Sequence, residues 1–320
     1  MAHDCPSSAL TEVSAEQEKT SAAWNSVLAA LLLTGLKLVV GWLSGSLGIL
    51  AEAAHSGLDL IAALVTLVAV KASSKPADRA HLYGHGKVEN LSALVETLLL
   101  LATCAWILSE AVVRLTSRPV TVDASVWAFV VMAISIAVDV SRSRMLYRVA
   151  AKHRSQALEA DALHFSSDIW SSAVVIVGLL GVRIADGFPT LAFLKHTDAV
   201  AALVVAAFVV VVSLRLGLRT IQGLMDTAPT GMAEKIKVEV EAIQTVADCH
   251  AVRVRQSGPH YFVDLHVTLD GDQPLYLAHE LTERVEQVVQ GLLPGADVTV
   301  HPEPVSPVGD KPPPQGPLPG

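Results

Sequence analysis

The chain has 320 residues, of which 52% are hydrophobic and only 17% charged, and its mean hydropathy is +0.48. Such a composition excludes an ordinary soluble protein and indicates a membrane protein with a soluble part. The net charge is −8 and no run of basic residues occurs, which excludes nucleic acid as an expected partner. The three cysteines form no C-x-x-C motif, so no disulfide framework is expected.

The first 20 residues are polar and predict a disordered N-terminal segment without a signal peptide. Six apolar stretches of about 20 residues follow, each long enough to cross a lipid bilayer as a helix. We therefore expect an all-α membrane bundle of six transmembrane helices over residues 21–226. The predicted spans are Trp24–Leu43, Leu47–Val70, Val88–Val113, Val122–Leu146, Ala157–Val182 and Asp198–Leu218.

The charges of the loops predict how these spans are oriented. Lysines and arginines are concentrated in the loop after the second span and in the segment after the fourth. The loops on the opposite side hold few of them. Because short cytoplasmic loops carry an excess of Lys and Arg, this asymmetry predicts that both termini face the cytoplasm.

The second and fifth spans contain the same pattern, a histidine followed four residues later by an aspartate. Residues four apart lie on one face of a helix, so His55 with Asp59, and His164 with Asp168, point in common directions. Two such faces opposed offer four nitrogen and oxygen ligands, the number that a tetrahedral divalent metal requires. An Asp at the centre of a membrane helix costs about 2.5–3.5 kcal/mol, which favours a metal site over structural polar contacts between helices.

Other polar residues also interrupt the apolar spans. Lys37, Glu96 and Asp139 have no paired ligand nearby in sequence, so we expect them to make polar contacts between helices. Glu52 lies three residues before His55. Two roles are equally expected for Glu52, either as acceptor for an imidazole N–H or as a solvent-facing carboxylate.

The pattern changes at Pro229, where short amphipathic and alternating segments replace the long apolar stretches. Residues 232–243 and Leu275–Leu292 predict helices, and Ser257-Gly258-Pro259 predicts a turn between strands. We expect a small α+β (αββαβ) cytosolic domain over residues 227–304 and a disordered Pro-rich tail at 305–320. The predicted strands are Cys249–Gln256, Tyr261–Leu269 and Asp297–His301.

Several motifs, in their order and spacing, resemble the cation diffusion facilitator family of divalent-metal/proton antiporters. The segment Ser46–Glu52 leads into His55 as the family's second span does, and Ala160–Leu163 leads into His164 as its fifth does. The stretch Arg253–Pro259 resembles a strand and turn of the family's cytosolic domain. The resemblance implies the fold argued above and a transport site built from the two His-x-x-x-Asp pairs.

The resemblance also implies two further metal sites. One lies in the loop after the second span, at Asp78, His81 and His85, where the residues alone are equally consistent with a solvated polar loop. The other lies in the cytosolic domain, where Glu303 takes the place of an aspartate in bacterial members of the family. Its implied ligands are His250, His266, His279, His301 and Glu303. Cys249 and His260 lie beside these positions and are not expected to be ligands.

Membership of the family would imply a homodimer, held in part by a charge interlock between Lys87 and Asp226. One departure from the bacterial iron and zinc exporters concerns the metal. Those proteins have Asp where this chain has His55, and the His version resembles zinc-selective members. This difference favours zinc over cadmium.

We therefore expect a zinc exporter of the inner (plasma) membrane that exchanges zinc (Zn²⁺) for protons by alternating access. It would not be an enzyme and would have no catalytic residues. Imidazole with carboxylate also suits other divalent transition metals, so an iron(II), cobalt or nickel exporter is one alternative. A membrane-anchored metal sensor that binds without translocating is the other.

Overall fold

The computed structural model describes residues 6–45, 47–116, 126–187 and 197–305. These residues divide into two compact units, of which the first ends at Met225 and the second begins at Asp226. The first unit consists of six long helices. They are α1 (Pro6–Ser44), α2 (Leu47–Ser73), α3 (Lys87–Thr116), α4 (Val126–His153), α5 (Gln156–Gly187) and α6 (Thr197–Leu224).

Helix α1 begins earlier than the sequence predicts. Residues 6–20 are helical, whereas a disordered segment was expected over 1–20. Ala, Glu, Gln and Lys in this segment are strong helix formers, and Lys19 is only 4% exposed because Glu89 pairs with it. Residues 1–5, and the tail from residue 306, lie outside the described residues.

Four of the described helices are long and apolar enough to cross a membrane. The described parts of α4 and α5 do not meet the same criteria of length, hydropathy and charge. Six long helices correspond to the six predicted spans, and four of them are long and apolar enough in their described residues to cross a membrane. The four stretches are Ser14–Ser44, Glu52–Ser73, Lys87–Trp106 and Ala206–Leu224.

Short connections hold neighbouring helices side by side. Helix α1 ends at Ser44 and is followed by Gly45, whose φ of +65° is the left-handed conformation that closes many helices. Helix α2 starts at Leu47. Small residues such as Ala63 and Ala157 are fully buried where helices meet, as is usual for helices that pack closely in a membrane. Large apolar side chains such as Trp42 and Leu43 point outward, at 82% and 80% exposure, as expected for lipid-facing surfaces.

The second unit is a small α+β domain with the predicted order of elements. Strand β2 is central, pairing antiparallel with β1 and parallel with β3. The apolar side chains of α7 and α8 cover one face of the sheet and form its core, with Val240, Val263 and Val285 almost fully buried. The elements are α7 (Met232–Glu241), β1 (Asp248–Ser257), β2 (His260–Leu269), α8 (Leu275–Leu292) and β3 (Asp297–Pro304).

Candidate metal centres

Helices α2 and α5 bring the two His-x-x-x-Asp pairs together. The Nε2 atom of His164 lies 3.2 Å from Asp59 Oδ1 and 3.7 Å from Asp168 Oδ2. The Nε2 atom of His55 lies 3.8 Å from Asp168 Oδ1 and 3.9 Å from Asp59 Oδ1. Each imidazole therefore faces one carboxylate of its own helix and one of the other helix.

These separations match the size of a metal coordination shell. Ligand atoms about 2.0–2.1 Å from a tetrahedral zinc ion lie about 3.3 Å from one another, and the four measured separations run from 3.2 to 3.9 Å. Two carboxylates also balance the charge of one divalent cation, which lowers the cost of burying the ion. His55, Asp59 and Asp168 form a compact ligand group, and His164 lies beside its two carboxylates. These nitrogen and oxygen donors suit a divalent transition metal.

The site opens into a cavity of about 180 Å³ between the helices. Its walls include His55, Asp59 and Asp168. The side chains of His164 and Asp59 are 6% and 12% exposed, whereas that of His55 is 28% exposed. The ligand set is thus buried on the α5 side and accessible on the His55 side.

Of the three polar residues expected to join helices, Lys37 and Glu96 do so, whereas the ion pair of Asp139 is within its own helix. Lys37 donates to Ser56 Oγ at 2.7 Å and to Glu52 at 3.3 Å. The Glu52 side chain is 54% exposed, in agreement with the solvent-facing alternative. Thr66 donates a hydrogen bond to Glu96, joining α2 to α3, and Asp139 lies 3.6 Å from Arg142 on its own helix.

A buried network beside the site was missed by sequence reasoning. Arg142 donates to Ser26 Oγ at 2.9 Å, and Ser26 donates to Asp161 at 3.0 Å, so α1, α4 and α5 are joined. The Arg142 guanidinium also stacks on the ring of Phe165, with 3.5 Å between guanidinium carbon and ring centroid. The available signal was Asp161 itself, which lies one helical turn before His164.

The predicted loop ligands between α2 and α3 lie together. His81 Nδ1 is 3.2 Å from Asp78 Oδ1, and His85 Nε2 is 3.3 Å from Asp78 Oδ2. Hydrogen bonds from the backbone N–H groups of His81 and Ala80 lower the pKa of the Asp78 carboxyl below its ordinary value. The side chains of Asp78 and His81 are more than half exposed, so this cluster is open to solvent.

The cytosolic cluster is built by strand register. His266 on the central strand lies opposite His250 of β1 and beside His301 of β3. A bulge follows His250, where Ala251 has a φ of 51°, and bulges commonly re-aim side chains next to functional sites. Three histidines from three neighbouring strands therefore lie in one row across the sheet.

Glu303 connects these histidines. Its carboxylate lies 2.8 Å from His266 Nδ1, 3.2 Å from His250 Nε2 and 3.8 Å from His301 Nε2. The hydrogen bond with His266 lowers the pKa of Glu303 below its ordinary value. Asp248 lies 2.8 Å from the other ring nitrogen of His250, an arrangement that fixes the ring of a metal-ligating histidine. Asp248 was missed from the sequence, although it precedes His250 by two residues at the same strand face.

His279 lies apart from the other predicted cytosolic ligands, and its part in the metal site stays a prediction. It lies on α8, its side chain is 72% exposed, and its Nε2 lies 3.5 Å from Glu283 of the same helix. In the described part of the chain the compact ligand group contains His250, His266 and Glu303. Cys249 points into the core at 0% exposure, and His260 is exposed at the start of β2.

The predicted interlock residues lie at two helix ends. Lys87 opens α3 and donates to the backbone carbonyl of Leu224 at 3.2 Å. Asp226 follows α6 with a φ of 58°. Their pairing stays a prediction.

Apolar helices around a buried nitrogen and oxygen ligand set define a membrane protein that handles a metal cation. The chain belongs to the cation efflux family. The model of the cation efflux transmembrane domain matches residues 23–225, and that of the cation efflux protein cytoplasmic domain matches residues 229–305. The resemblance drawn from the motifs is thereby confirmed.

Individual relatives cover most of the chain. The cation-efflux pump FieF of Cronobacter sakazakii is 33% identical over 286 residues, which are 89% of this chain and 92% of the relative. The protein of the same name from Klebsiella pneumoniae is 31% identical over 289 residues, 90% and 93% of the two chains. The metal-bound C-terminal domain of the CzcD transporter from Thermotoga maritima is 32% identical, covers 24% of this chain and 92% of that chain, and has a TM-score of 0.23.

Proposed function

We propose that this divalent cation efflux transporter exports zinc from the cytoplasm in exchange for protons, by alternating access and as a homodimer. The observation that carries the proposal is the set of four separations of 3.2–3.9 Å between the imidazole and carboxylate atoms of α2 and α5. Metal would be the transported substrate at this site. Spans α1–α6 would all cross the inner membrane, with both termini in the cytoplasm, as the loop charges favour.

The ligand set restricts the range of candidate metals to several divalent transition metals. Two imidazoles and two carboxylates suit zinc, iron(II), cobalt and nickel, and disfavour magnesium and calcium, which prefer oxygen alone. The name of the FieF relatives describes a cation-efflux pump. His55 in place of an aspartate favours zinc over cadmium and resembles zinc-selective members, so we place zinc first and iron(II), cobalt or nickel second.

Proton exchange follows from the ligands. Imidazole and carboxylate bind metal only when deprotonated, so protons compete with metal for the same atoms. A site that has released its metal would leave two carboxylates facing each other in a buried cavity. Protons taken up from the side of the membrane where the metal was released would remove that repulsion. They would then be released into the cytoplasm when the next metal binds.

The cytosolic cluster suits a resident metal. His250, His266, His301 and Glu303 are nitrogen and oxygen donors, and Asp248 holds the His250 ring with its Nε2 toward Glu303. A zinc ion there would cross-link the three strands. We propose a regulatory role, in which metal bound by the cytosolic domain tightens the homodimer. The loop cluster at Asp78, His81 and His85 is a further, solvent-open place for a metal.

A membrane-anchored sensor is the competing function, because a sensor also needs a selective metal site. Flux decides between them. The purified chain, reconstituted in proteoliposomes with an imposed pH gradient, is given zinc, iron(II), cobalt, nickel, cadmium or manganese, and accumulation is followed over time. The proposal expects zinc uptake that depends on the pH gradient and exceeds cadmium uptake. Saturable binding without accumulation of any metal would establish the sensor instead.

A further inference from the structure

At the end of the helical unit away from the metal cavity, a fully buried carboxylate joins four elements. Glu89, in the first turn of α3, is 0% exposed. It accepts hydrogen bonds from Lys19 of α1 at 2.9 Å, from Ser73 at the end of α2 at 3.0 Å, and from Ser155 at 2.5 Å. Ser155 lies in the turn between α4 and α5. These four residues are named the Glu89 hub.

The hub lies opposite the cavity along the helices. The cavity is lined by the later parts of α1 and α3 and by the earlier part of α2, for example Lys37, Trp106 and Glu52. The hub uses the earlier part of α1, the start of α3 and the last residue of α2. At one end of the described helices a cavity leads to the metal site. At the other end polar contacts join the helices.

The contacts of the hub are strong and closely packed. Lys19 and Glu89 are both buried, and hydrogen bonds to an ionised carboxylate are among the strongest side-chain contacts. Next to it Asn90 donates to Gln156 at 3.2 Å, and a side chain added at Gly223 of α6 would lie only 2.5 Å from Asn90. Close packing therefore surrounds the ion pair at this end of the unit.

We propose that the Glu89 hub is the latch that closes this end of the transporter. Metal at the α2–α5 site can reach this end only after α3 separates from α1, from the end of α2 and from the α4–α5 turn. Opening must therefore break the three hydrogen bonds to Glu89 together. The inference rests on the proposed alternating access, and it adds the residues that hold one of the two alternating states.

The latch is tested by labelling two engineered cysteines in the full-length chain, after replacing Cys5, Cys104 and Cys249. Ala93→Cys reports on the hub end, because Ala93 is buried on α3 one turn beyond Glu89. Ser172→Cys reports on the cavity end, because Ser172 lines the cavity. The rate of reaction with a small maleimide is measured for each reporter without added metal, so the result does not depend on transport.

The hub is opened with Lys19→Met combined with Glu89→Gln, which removes both charges and leaves neither one buried alone. Labelling of Ala93→Cys is expected to rise about tenfold, the change produced by losing one strong hydrogen bond to a charged group, while labelling of Ser172→Cys falls. The matched control is the ion pair of Arg219 with Glu159, whose Arg219 side chain is 54% exposed. Arg219→Gln with Glu159→Gln should change neither rate.

Two results would overturn the latch. Unchanged labelling of both reporters would show that the hub does not hold this end closed. A parallel rise at both reporters would show that the hub only stabilises the fold. If the double variant does not fold, Ser73→Ala removes one of the three hydrogen bonds alone and should raise Ala93→Cys labelling by up to about tenfold, with the same two contrary results.

Discussion

The metal cluster between α2 and α5 and the metal cluster of the cytosolic domain use similar donor atoms. They differ in burial and in the kind of secondary structure that holds the ligands. In the helical unit the side chains of the four ligands are 6–28% exposed and come from α2 and α5. In the cytosolic unit the histidines and Glu303 are 26–62% exposed and come from three hydrogen-bonded strands. Helices can shift past one another, whereas neighbouring strands are tied by their backbone ladder.

This difference would account for the two roles that we propose for the same chemistry. A site divided between two helices can be taken apart when the helices move, so it can release a metal. A site laid across a sheet keeps its ligand spacing, so it can retain one. The comparison predicts that damage to the first cluster stops transport, and that damage to the second changes only metal-dependent regulation.

The largest expected effect is on metal binding in the helical unit. Asp168→Ala removes one of the two buried carboxylates that face both imidazoles, and should lower zinc affinity about 100-fold or more, because the remaining charges are unbalanced. Equilibrium dialysis measures this in a chain whose cytosolic cluster carries His250→Ala and His266→Ala. Ser172→Ala, which lines the same cavity, is the control. Unchanged affinity in Asp168→Ala would remove Asp168 from the site.

The cytosolic cluster should respond more moderately. His266→Ala removes the central histidine and should lower zinc affinity at this cluster about 10–100-fold, read by dialysis in the Asp59→Ala, Asp168→Ala background. His260→Ala, at an exposed position in the same strand, should leave the affinity as it is. Equal losses in both variants would mean that the strand, and not the ligand, was affected.

The same variant has a pH signature. The hydrogen bond from His266 lowers the pKa of Glu303, so it stabilises the folded domain at pH above the ordinary pKa of a glutamate. That contribution is lost as the pH falls through the lowered value. His266→Ala should therefore move the protonation of Glu303 to higher pH, which titration by NMR would follow. An unmoved titration would exclude this hydrogen bond.

A smaller effect concerns the proposed interlock of Lys87 with Asp226. Lys87→Asp should weaken dimerisation, and adding Asp226→Lys should restore part of it, by more than the 0–1 kcal/mol typical of exposed ion pairs. Lys75→Asp, in the exposed loop before α3, is the control. Dimer dissociation constants give the double-mutant cycle, and strictly additive losses would count against the interlock.

The smallest expected effect concerns the reactivity of the Cys249 thiol, which shows whether this residue is a buried core residue or an accessible metal ligand. Burial raises the pKa of Cys249 from its ordinary 9.0 to about 11, so the thiol stays protonated and should react only slowly with a thiol reagent at pH 8. The folded state keeps its proton longer than the unfolded state, so this group's stabilisation is complete below pH 9 and falls as the pH rises toward 11. Rapid reaction of native Cys249 at pH 8 would contradict the buried, protonated assignment.

The local periodicity of the sequence predicts which residues share a face of one helix or strand. The spacing of His55 with Asp59, and of His164 with Asp168, predicts shared faces because helical geometry is local. The order αββαβ followed from alternation and turn residues for the same reason. The first turns of α1 were misread because polar residues there were taken for disorder, whereas Lys19 is held by Glu89.

Contacts between distant elements could not be predicted in this way. The Glu89 hub joins residues 19, 73, 89 and 155, and no local pattern says which of many polar residues will meet. Arg142 was missed for the same reason, whereas the contact of Asp248 with His250 is local and was overlooked. His279 was included by resemblance; it lies on the exposed face of α8 beside Glu283, and its part in the metal site stays a prediction.

The central claim is that metal crosses the membrane through the α2–α5 cluster and not by way of the cytosolic one. Zinc flux is measured in proteoliposomes under one pH gradient for three chains: the parent, Asp59→Asn with Asp168→Asn, and His266→Ala with Glu303→Gln. The account predicts no flux for the first variant, despite a folded chain, and continuing flux for the second. Flux that survives the loss of both aspartates would contradict the account.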